Sequence, residues 1–332
     1  MSTNLQSAAV RAHANIALVK YWGKRDAALN LPAVGSLSIT LEALATETQV
    51  RFDPNLAEDD ISLNGERSEK AARRISKTLD LLRDQTQIST KALVVSRNNF
   101  PTAAGLASSA SGFAALVSAA AQALDLSVSD ARLSEWARRG SGSAARSIFG
   151  GFVDMAHGVA VDGSDSIARP LHEASHWPLE VVIAITSEAS KKVGSTVGMD
   201  HTMATSPYYS AWVDGAEADL AAARSAITAR DFDALAQVSE YSCLKMHASA
   251  LAAHPGVLYW NAATTNGIHT VRELRQQGVP VFFTIDAGPQ LKAVCEPSAT
   301  AQVKAALAAM PGVQRVITTA MGPGVTRIED FA

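Results

Sequence analysis

Cysteine is nearly absent from this chain. Cys243 and Cys295 are the only two in 332 residues, and they lie far apart. That usage fits a reducing cytosol and excludes a cysteine-built zinc site. No apolar run reaches the roughly 18 residues that a membrane-spanning helix requires. The N-terminal stretch shows neither an apolar core nor a small-residue cleavage site, so no secretion signal is expected. Blocks of like charge are missing too. The net charge is −3 with both signs mixed, which argues against duplex DNA or a membrane surface as partner. Internal repeats and low-complexity tracts do not occur. Neither G-x-G-x-x-G nor a Gly-Lys-Ser/Thr loop is found, which removes the dinucleotide fingerprint and the Walker pattern. The eight histidines have no metal-ligand spacing and read as structural.

What is present is a core-rich chain with one conspicuous stretch. Apolar residues make up 47%, enough for one large or two ordinary domains. The stretch runs Asn99-Phe100-Pro101-Thr102-Ala103-Ala104-Gly105-Leu106-Ala107-Ser108-Ser109-Ala110-Ser111-Gly112. An apolar run, 92–96, precedes it and an Ala-rich run, 112–124, follows. The pattern predicts strand, tight loop, helix. Small side chains leave the backbone open to a ligand. The first N–H groups of a helix lack internal partners and sit at its positive end, so the spot suits phosphate. A plain Ser-capped helix start would need no such long uncharged run.

Elsewhere, 10–20 reads as a strand leading into the polar corner Tyr21-Trp22-Gly23-Lys24-Arg25-Asp26. Residues 36–41 and 46–53 read as two strands and 60–63 as a third. Residues 68–83 carry an apolar stripe at helical spacing. A helix is expected over 130–139, capped by Ser129, with strands at 150–156 and 179–186 and a loop or hairpin over 157–177. Residues 187–199 read as a polar loop. Helices follow at 213–229, 231–251 and 261–277. Then come a strand over 279–285, a helix over 298–309 and a last strand at 313–319. The order suggests two α+β domains, 1–187 and 188–332.

Three polar features join the loop. Lys20, Tyr21 and Lys24 would place point charges for phosphate beside an aromatic; a solvated corner is the plainer reading. Ser141-Gly142-Ser143, with Arg146 close by, forms a second small-residue nest, and Arg146 could grip a carboxylate with its planar fork; an ordinary helix stop is the alternative. Asp286 follows a strongly apolar strand and precedes Ala287-Gly288-Pro289. It could be a catalytic base, a metal ligand, or an Asp capping its own turn. Together these features point to phosphoryl transfer on an anionic substrate.

The same stretches resemble the diphosphomevalonate decarboxylases of the GHMP kinase superfamily. The matching text is Ala14 to Asp26, Asn98 to Ala110, Ala137 to Ser147, Ser195 to Met199, and Asp286 to Pro289. The glycine loop is common to the superfamily, whereas Tyr21-Trp22-Gly23-Lys24 and Arg138-Arg139-Gly140-Ser141-Gly142-Ser143 are far more specific to the decarboxylases. The resemblance implies an α+β fold, with a ribosomal-S5-like domain followed by a ferredoxin-like domain and the site between them. It implies ATP and Mg²⁺ as cofactors, mevalonate 5-diphosphate as substrate, isopentenyl diphosphate as product and a cytoplasmic homodimer. By the same resemblance, Asp286, Arg146 and Lys20 form the catalytic set. Tyr21, Lys24, Ser141, Gly142, Ser143, Arg146 and Ser195 fall on the substrate side. Ser96, Asn98, Ala103, Ala104, Gly105, Leu106, Ala107, Ser108, Ser109 and Lys191 fall on the nucleotide side, with Ser109 toward the metal. The chain departs from the family at Val34-Gly35, where Asn-Ser is usual before the serine, and at Gln290, where Asn is usual. A monophosphate decarboxylase or a mevalonate-type kinase of the same fold, and a nucleotide-binding regulator without turnover, are the alternatives.

Overall fold

The computed structural model describes residues 6–100, 105–189, 191–329 and 331. In chain order the elements are β1 (Ser7–Val19), β2 (Lys24–Asp26), β3 (Leu31–Pro32), β4 (Ser36–Asp53), β5 (Asp60–Leu63), α1 (Glu69–Thr86), β6 (Lys91–Asn98), α2 (Ser108–Ala123), α3 (Asp130–Gly140), β7 (Phe152–Met155), β8 (Ala168–His172) and β9 (Glu180–Ile185). The second half adds α4 (Ser195–Thr205), α5 (Tyr209–Asp214), α6 (Ala216–Ala229), α7 (Phe232–Leu251), α8 (Ala262–Gln276), β10 (Val281–Ile285), β11 (Leu291–Cys295), α9 (Thr300–Ala308), β12 (Arg315–Ala320) and β13 (Thr326–Ile328).

Two main sheets organise the chain. The first runs β13-β1-β4-β6-β5, with β7 pairing β4 and β8. The second is the antiparallel set β10-β11-β9-β12. Helices α1, α2 and α3 cover the first sheet through Leu79, Phe113, Leu116 and Trp136. The second sheet is buried on both faces along β9, β10 and β11. Val182, Ala184, Val281 and Phe283 pack toward α8 and α9. Val181, Ile183 and Phe282 instead share a cluster with Leu18 and Ile39 of the first sheet and Leu220 of α6. That shared cluster makes the seam between the sheets continuous core, a rigid base for a site built from both.

Several local expectations change. Residues 36–41 and 46–53 form one strand rather than two: β4 runs through, and its register against β1 shifts where His13 pairs Ala45 but Asn15 pairs Thr40. The expected break is thus an irregularity within one strand. The expected helix 213–229 is divided at Gly215 into α5 and α6. The stretch 157–177 contains β8, and the polar loop 187–199 already enters α4 at Ser195. Strands β11 and β13 had no counterpart in the sequence reading. The capping expectation at Ser129 holds: its side chain accepts from Arg132 N. Past β12, β13 returns to pair with β1 of the first sheet.

Candidate active site

Asp286 stands where the two sheets meet. It leaves the fully buried strand β10 and turns back at once, with Gly288 N donating to Asp286 O at 2.7 Å. Its carboxylate lies between two ammonium groups. Lys20, just past β1, donates from Nζ to Oδ1 at 2.7 Å, and Lys292 of β11 places Nζ 3.1 Å from Oδ2. Both lysines are buried. Burial alone would raise the carboxyl's pKa. The two ammonium charges more than offset it and hold Asp286 well below the usual carboxylate range. Burial in turn pulls Lys292 down, against the opposing pull of Asp286.

Lys292 also ties this carboxylate to the glycine loop by donating to Gly105 O at 3.0 Å. Gly105 has φ +84°, and a Cβ there would lie 3.0 Å from the Cα of Gly288. Loop and turn therefore approach closely, and the left-handed backbone of Gly105 with the turn packed against it favours glycine at that position. Ala103 and Ala104 lie outside the described residues. Leu106 is buried in the seam core and Ala107 packs beside it. Ala107 precedes α2 in a left-handed conformation, and no side-chain cap bonds the helix start.

The second nest faces the first. Ser141 Oγ donates to Ser109 Oγ at 3.3 Å. A Cβ on Gly142 would lie 2.4 Å from the Tyr21 hydroxyl. Gly142 is thus what lets Tyr21 reach across. The Tyr21 hydroxyl is buried with no hydrogen-bond partner among the described residues; burial pushes it upward in pKa, and Arg146 pulls the other way. Lys24 lies nearby, half-buried and lowered by that burial, while Asp200 opposes and Arg74 adds to it.

Arg146 is buried at the centre. Its Nη1 donates to Ser36 Oγ at 2.6 Å and its Nε to Asn15 Oδ1 at 3.3 Å. Asn15 in turn donates to Ser147 Oγ at 2.8 Å and to Ser143 O at 3.0 Å. One asparagine on β1 therefore sets both the plane of the guanidinium and the shape of the serine nest. Burial lowers Arg146 to about 10, with Asp286 the largest opposing charge; it stays a cation. On the far side, Lys191 Nζ donates to Ser195 Oγ at 2.7 Å and to Ala287 O at 2.9 Å. Burial and then the charge of Lys292 push Lys191 down to about 8, against Asp286.

Ser96 and Asn98 sit on β6, away from these contacts. Ser96 Oγ shares a hydrogen bond with Thr48 Oγ1 at 2.8 Å, and Asn98 Oδ1 accepts from Thr46 Oγ1 at 2.6 Å. The sequence reading missed Lys292, Asn15, Ser36 and Arg74. Arg74 of α1 donates to Gly140 O at 3.1 Å, beside the serine nest. The signal for Lys292 was available: it is the lone charged residue inside an apolar strand, where burial demands a partner.

The two departures also have structural reasons. A Cβ at Gly35 would lie 2.6 Å from Leu220 Cδ2, and Val34 belongs to an apolar cluster with Trp22, Met199 and Trp212. Gln290 Oε1 accepts from Thr186 N at 2.7 Å, joining the end of β9 to the turn after Asp286.

A two-sheet α+β chain whose glycine loop, helix start and strand-end carboxylate meet at the seam has the architecture of a GHMP kinase-type phosphotransferase. More narrowly, the chain belongs to the diphosphomevalonate decarboxylase family: the family's N-terminal domain profile matches residues 12–168 and its mevalonate 5-diphosphate decarboxylase C-terminal domain profile matches 181–325. The diphosphomevalonate decarboxylase of Candida albicans is 37% identical, over 96% of this chain and 97% of its own. The crystal structure of mevalonate diphosphate decarboxylase from Staphylococcus aureus is similar at 41% identity and a TM-score of 0.92, covering 98% of both chains. The MDDEF structure in complex with MVAPP, AMPPCP and magnesium is similar at 40% identity and a TM-score of 0.91, covering 98% and 99%.

Proposed function

We infer that the chain is an ATP-dependent decarboxylase that converts mevalonate 5-diphosphate to isopentenyl diphosphate by phosphorylating the 3-hydroxyl. The observation that carries the site assignment is the single constellation in which Lys20 and Lys292 grip Asp286 while Lys292 also holds Gly105. A base for the alcohol and a loop for the triphosphate are thereby linked through one side chain.

The chemistry follows from what a tertiary alcohol lacks. Its oxygen is a poor leaving group until phosphorylated, and CO₂ departs only as the C3–O bond opens. Placing the hydroxyl in line with the γ-phosphate is the first task, and such placement supplies up to roughly 7–11 kcal/mol. Asp286 is ionised throughout the working pH range, so it accepts the hydroxyl's hydrogen bond from the outset. Its depressed basicity suits orientation, with proton uptake late, as the loose transition state of phosphoryl transfer requires. Arg146 holds the substrate carboxylate in a plane set by Ser36 and Asn15, so the breaking C–C bond overlaps the orbital emptying at C3. Tyr21, Lys24, Ser141, Gly142 and Ser143 take the 5-diphosphate.

The residues present suit a metal-bound nucleotide. No acidic residue occupies the first turn of α2, and Ser108 and Ser109 are there to meet phosphate. Among the described residues no cluster of three or more His, Cys, Asp or Glu could hold a metal; Mg²⁺ would come on the phosphates, with Ser109 as its protein donor. Its contribution is to neutralise phosphate charge. Lys191 and Ser195, linked to each other, would meet the same end, and Ser96 and Asn98 the nucleoside side. The reading assigns residues 1–187 to nucleotide and substrate binding and 188–332 to the part that carries Asp286. Among the described residues no helix is long and apolar enough to cross a membrane; a cytosolic homodimer is the form this reading takes.

The deciding experiment is a coupled assay of ADP and CO₂ release with mevalonate 5-diphosphate and, separately, the 5-phosphate. Both products are expected from the diphosphate at far higher kcat/KM. ADP without CO₂, or preference for the monophosphate, would replace the reading with a kinase or a monophosphate decarboxylase.

A further inference from the structure

Strand β10 is an edge strand, yet three of its backbone groups, Phe283 N, Ile285 N and Ile285 O, find partners outside the sheet. Helix α7 runs beside it and meets them with side chains. Glu240 Oε1 accepts from Phe283 N at 3.3 Å, Cys243 Sγ accepts from Ile285 N at 3.2 Å, and His247 Nε2 donates to Ile285 O at 3.2 Å. The spacings of three and four residues put all three on one helix face. A helix here supplies what a neighbouring strand normally would. An aliphatic stripe would cover the same apolar surface but leave these buried backbone groups unsatisfied, at about 1–3 kcal/mol each.

The last rung bears on the site. Ile285 O belongs to the peptide bond that leads into Asp286. Ile285 O can only accept, so the His247 proton is on Nε2. Burial, aided by Lys20, keeps the ring neutral, down to about 3. The imidazole is wedged against Trp260 at 4.8 Å between centroids and edge-on to Tyr259 at 6.3 Å. One residue before Cys243, Ser242 Oγ accepts from Lys20 N at 3.0 Å. Adjacent residues of α7 thus hold the backbone of Lys20 and of Ile285, the residue that leads into Asp286.

We propose that His247 is a positioning residue for the reaction: through Ile285 O, with Cys243 on Ile285 N, it sets where the Asp286 carboxylate stands between Lys20 and Lys292. The proposal deepens the reading of Asp286 as the group facing the 3-hydroxyl and rests on it. Sequence spacing had grouped His247 with the structural histidines; the geometry gives it a task beyond filling space.

The test compares His247→Phe, which keeps a ring but loses the donor, with His247→Gln, which restores an N–H at similar reach. His247→Phe should lower kcat by about 10²-fold, the scale of a misplacement near 1 Å, with KM for ATP and for the diphosphate unchanged, and His247→Gln should recover most of the loss. Wild-type kcat in His247→Phe, no recovery in His247→Gln, or a loss that falls equally on kcat, both KM values and the melting temperature would overturn the proposal. Should His247→Phe not fold, Cys243→Ala against Cys243→Ser carries the same comparison: loss in the first and retention in the second supports it, and equal behaviour overturns it. Asp286→Asn is assayed alongside. If that variant turns over normally, the assignment of Asp286 fails. If it is inactive while His247→Phe and Cys243→Ala behave as wild type, only the positioning role fails.

Discussion

The ammonium of Lys20 stands 2.7 Å from Oδ1 of Asp286, a residue 266 positions further along the chain. The contact closes the seam between the two sheets at the point where the chemistry is placed. The same ammonium also donates to Ala17 O at 2.8 Å, a carbonyl that accepts from Thr284 Oγ1 of β10 at 3.1 Å. The pair is therefore braced by backbone from both sides, and the carboxylate cannot drift without disturbing β1.

Neutralising that carboxylate should separate catalysis from binding. In Asp286→Asn, turnover should fall by at least about 10²-fold, the lower end of a general-base contribution, while ATP titration gives near wild-type affinity. Lys20 and Lys292 are then two buried cations without a counter-charge, and denaturant unfolding should show a loss of about 3–5 kcal/mol at neutral pH. Lys292, already lowered by burial, would be lowered further in the variant. The unfolded state then binds more protons than the native one, so the lost stability should return in part as pH rises. A variant equally destabilised at pH 7 and pH 9 would contradict this account of the lysines.

Arg146→Lys tests whether planarity or charge matters. Lysine keeps the cation but cannot bond Ser36 and Asn15 at once while facing a carboxylate. We expect kcat to fall by about 10²-fold, with a smaller rise in KM for the diphosphate. Steady-state kinetics decide it: a pure KM effect would reduce Arg146 to a simple counter-ion.

The pH profile should carry the signature of Lys191. Burial and Lys292 bring it down to about 8, so in the free enzyme it is charged below that pH and neutral above. The value of kcat/KM for ATP should decline as pH rises through about 8. The corresponding limb in kcat should lie higher, because a bound phosphate favours the charged form. Lys191→Arg should remove the limb. A limb that persists in that variant belongs to another group.

Much of this site could be read before any fold was known. The small-residue loop, the Ser141-Gly142-Ser143 nest and a carboxylate closing an apolar run are local patterns with local physical causes, and the structure brings their described residues to one seam. What escaped was non-local. Lys292 interrupts the run Leu291–Cys295, so β11 had no clear alternation, and only its pairing with β9 and β10 shows that the lysine is buried against Asp286. Ser36 looked like an ordinary strand residue until Arg146 arrived from 110 residues away. β13 is short and polar, and its pairing with β1 depends on where the chain end returns. The division of β4 failed for the opposite reason: residues between Thr40 and Ala45 lack strand character locally, and the ladders on either side carry the strand across.

Gly142→Ala offers the sharpest probe of the substrate side. The added methyl would lie 2.4 Å from the Tyr21 hydroxyl oxygen and 2.6 Å from its Cζ. Both are far inside van der Waals contact, so Tyr21 must swing away. Overpacking of this kind costs about 1–3 kcal/mol. Here the strain should appear chiefly as a raised KM for the diphosphate, because the displaced ring is the one facing the serine nest. The ATP side, held by Lys292 and the Gly105 loop, should keep its KM. Adding Tyr21→Phe removes the oxygen but not the ring carbon, so Gly142→Ala/Tyr21→Phe should recover part of the folding stability and, on the proposed role of the hydroxyl as a phosphate ligand, none of the substrate affinity. Full recovery of KM in the double variant would mean that the Tyr21 hydroxyl touches no phosphate, and that Gly142 is small only to let the ring pack.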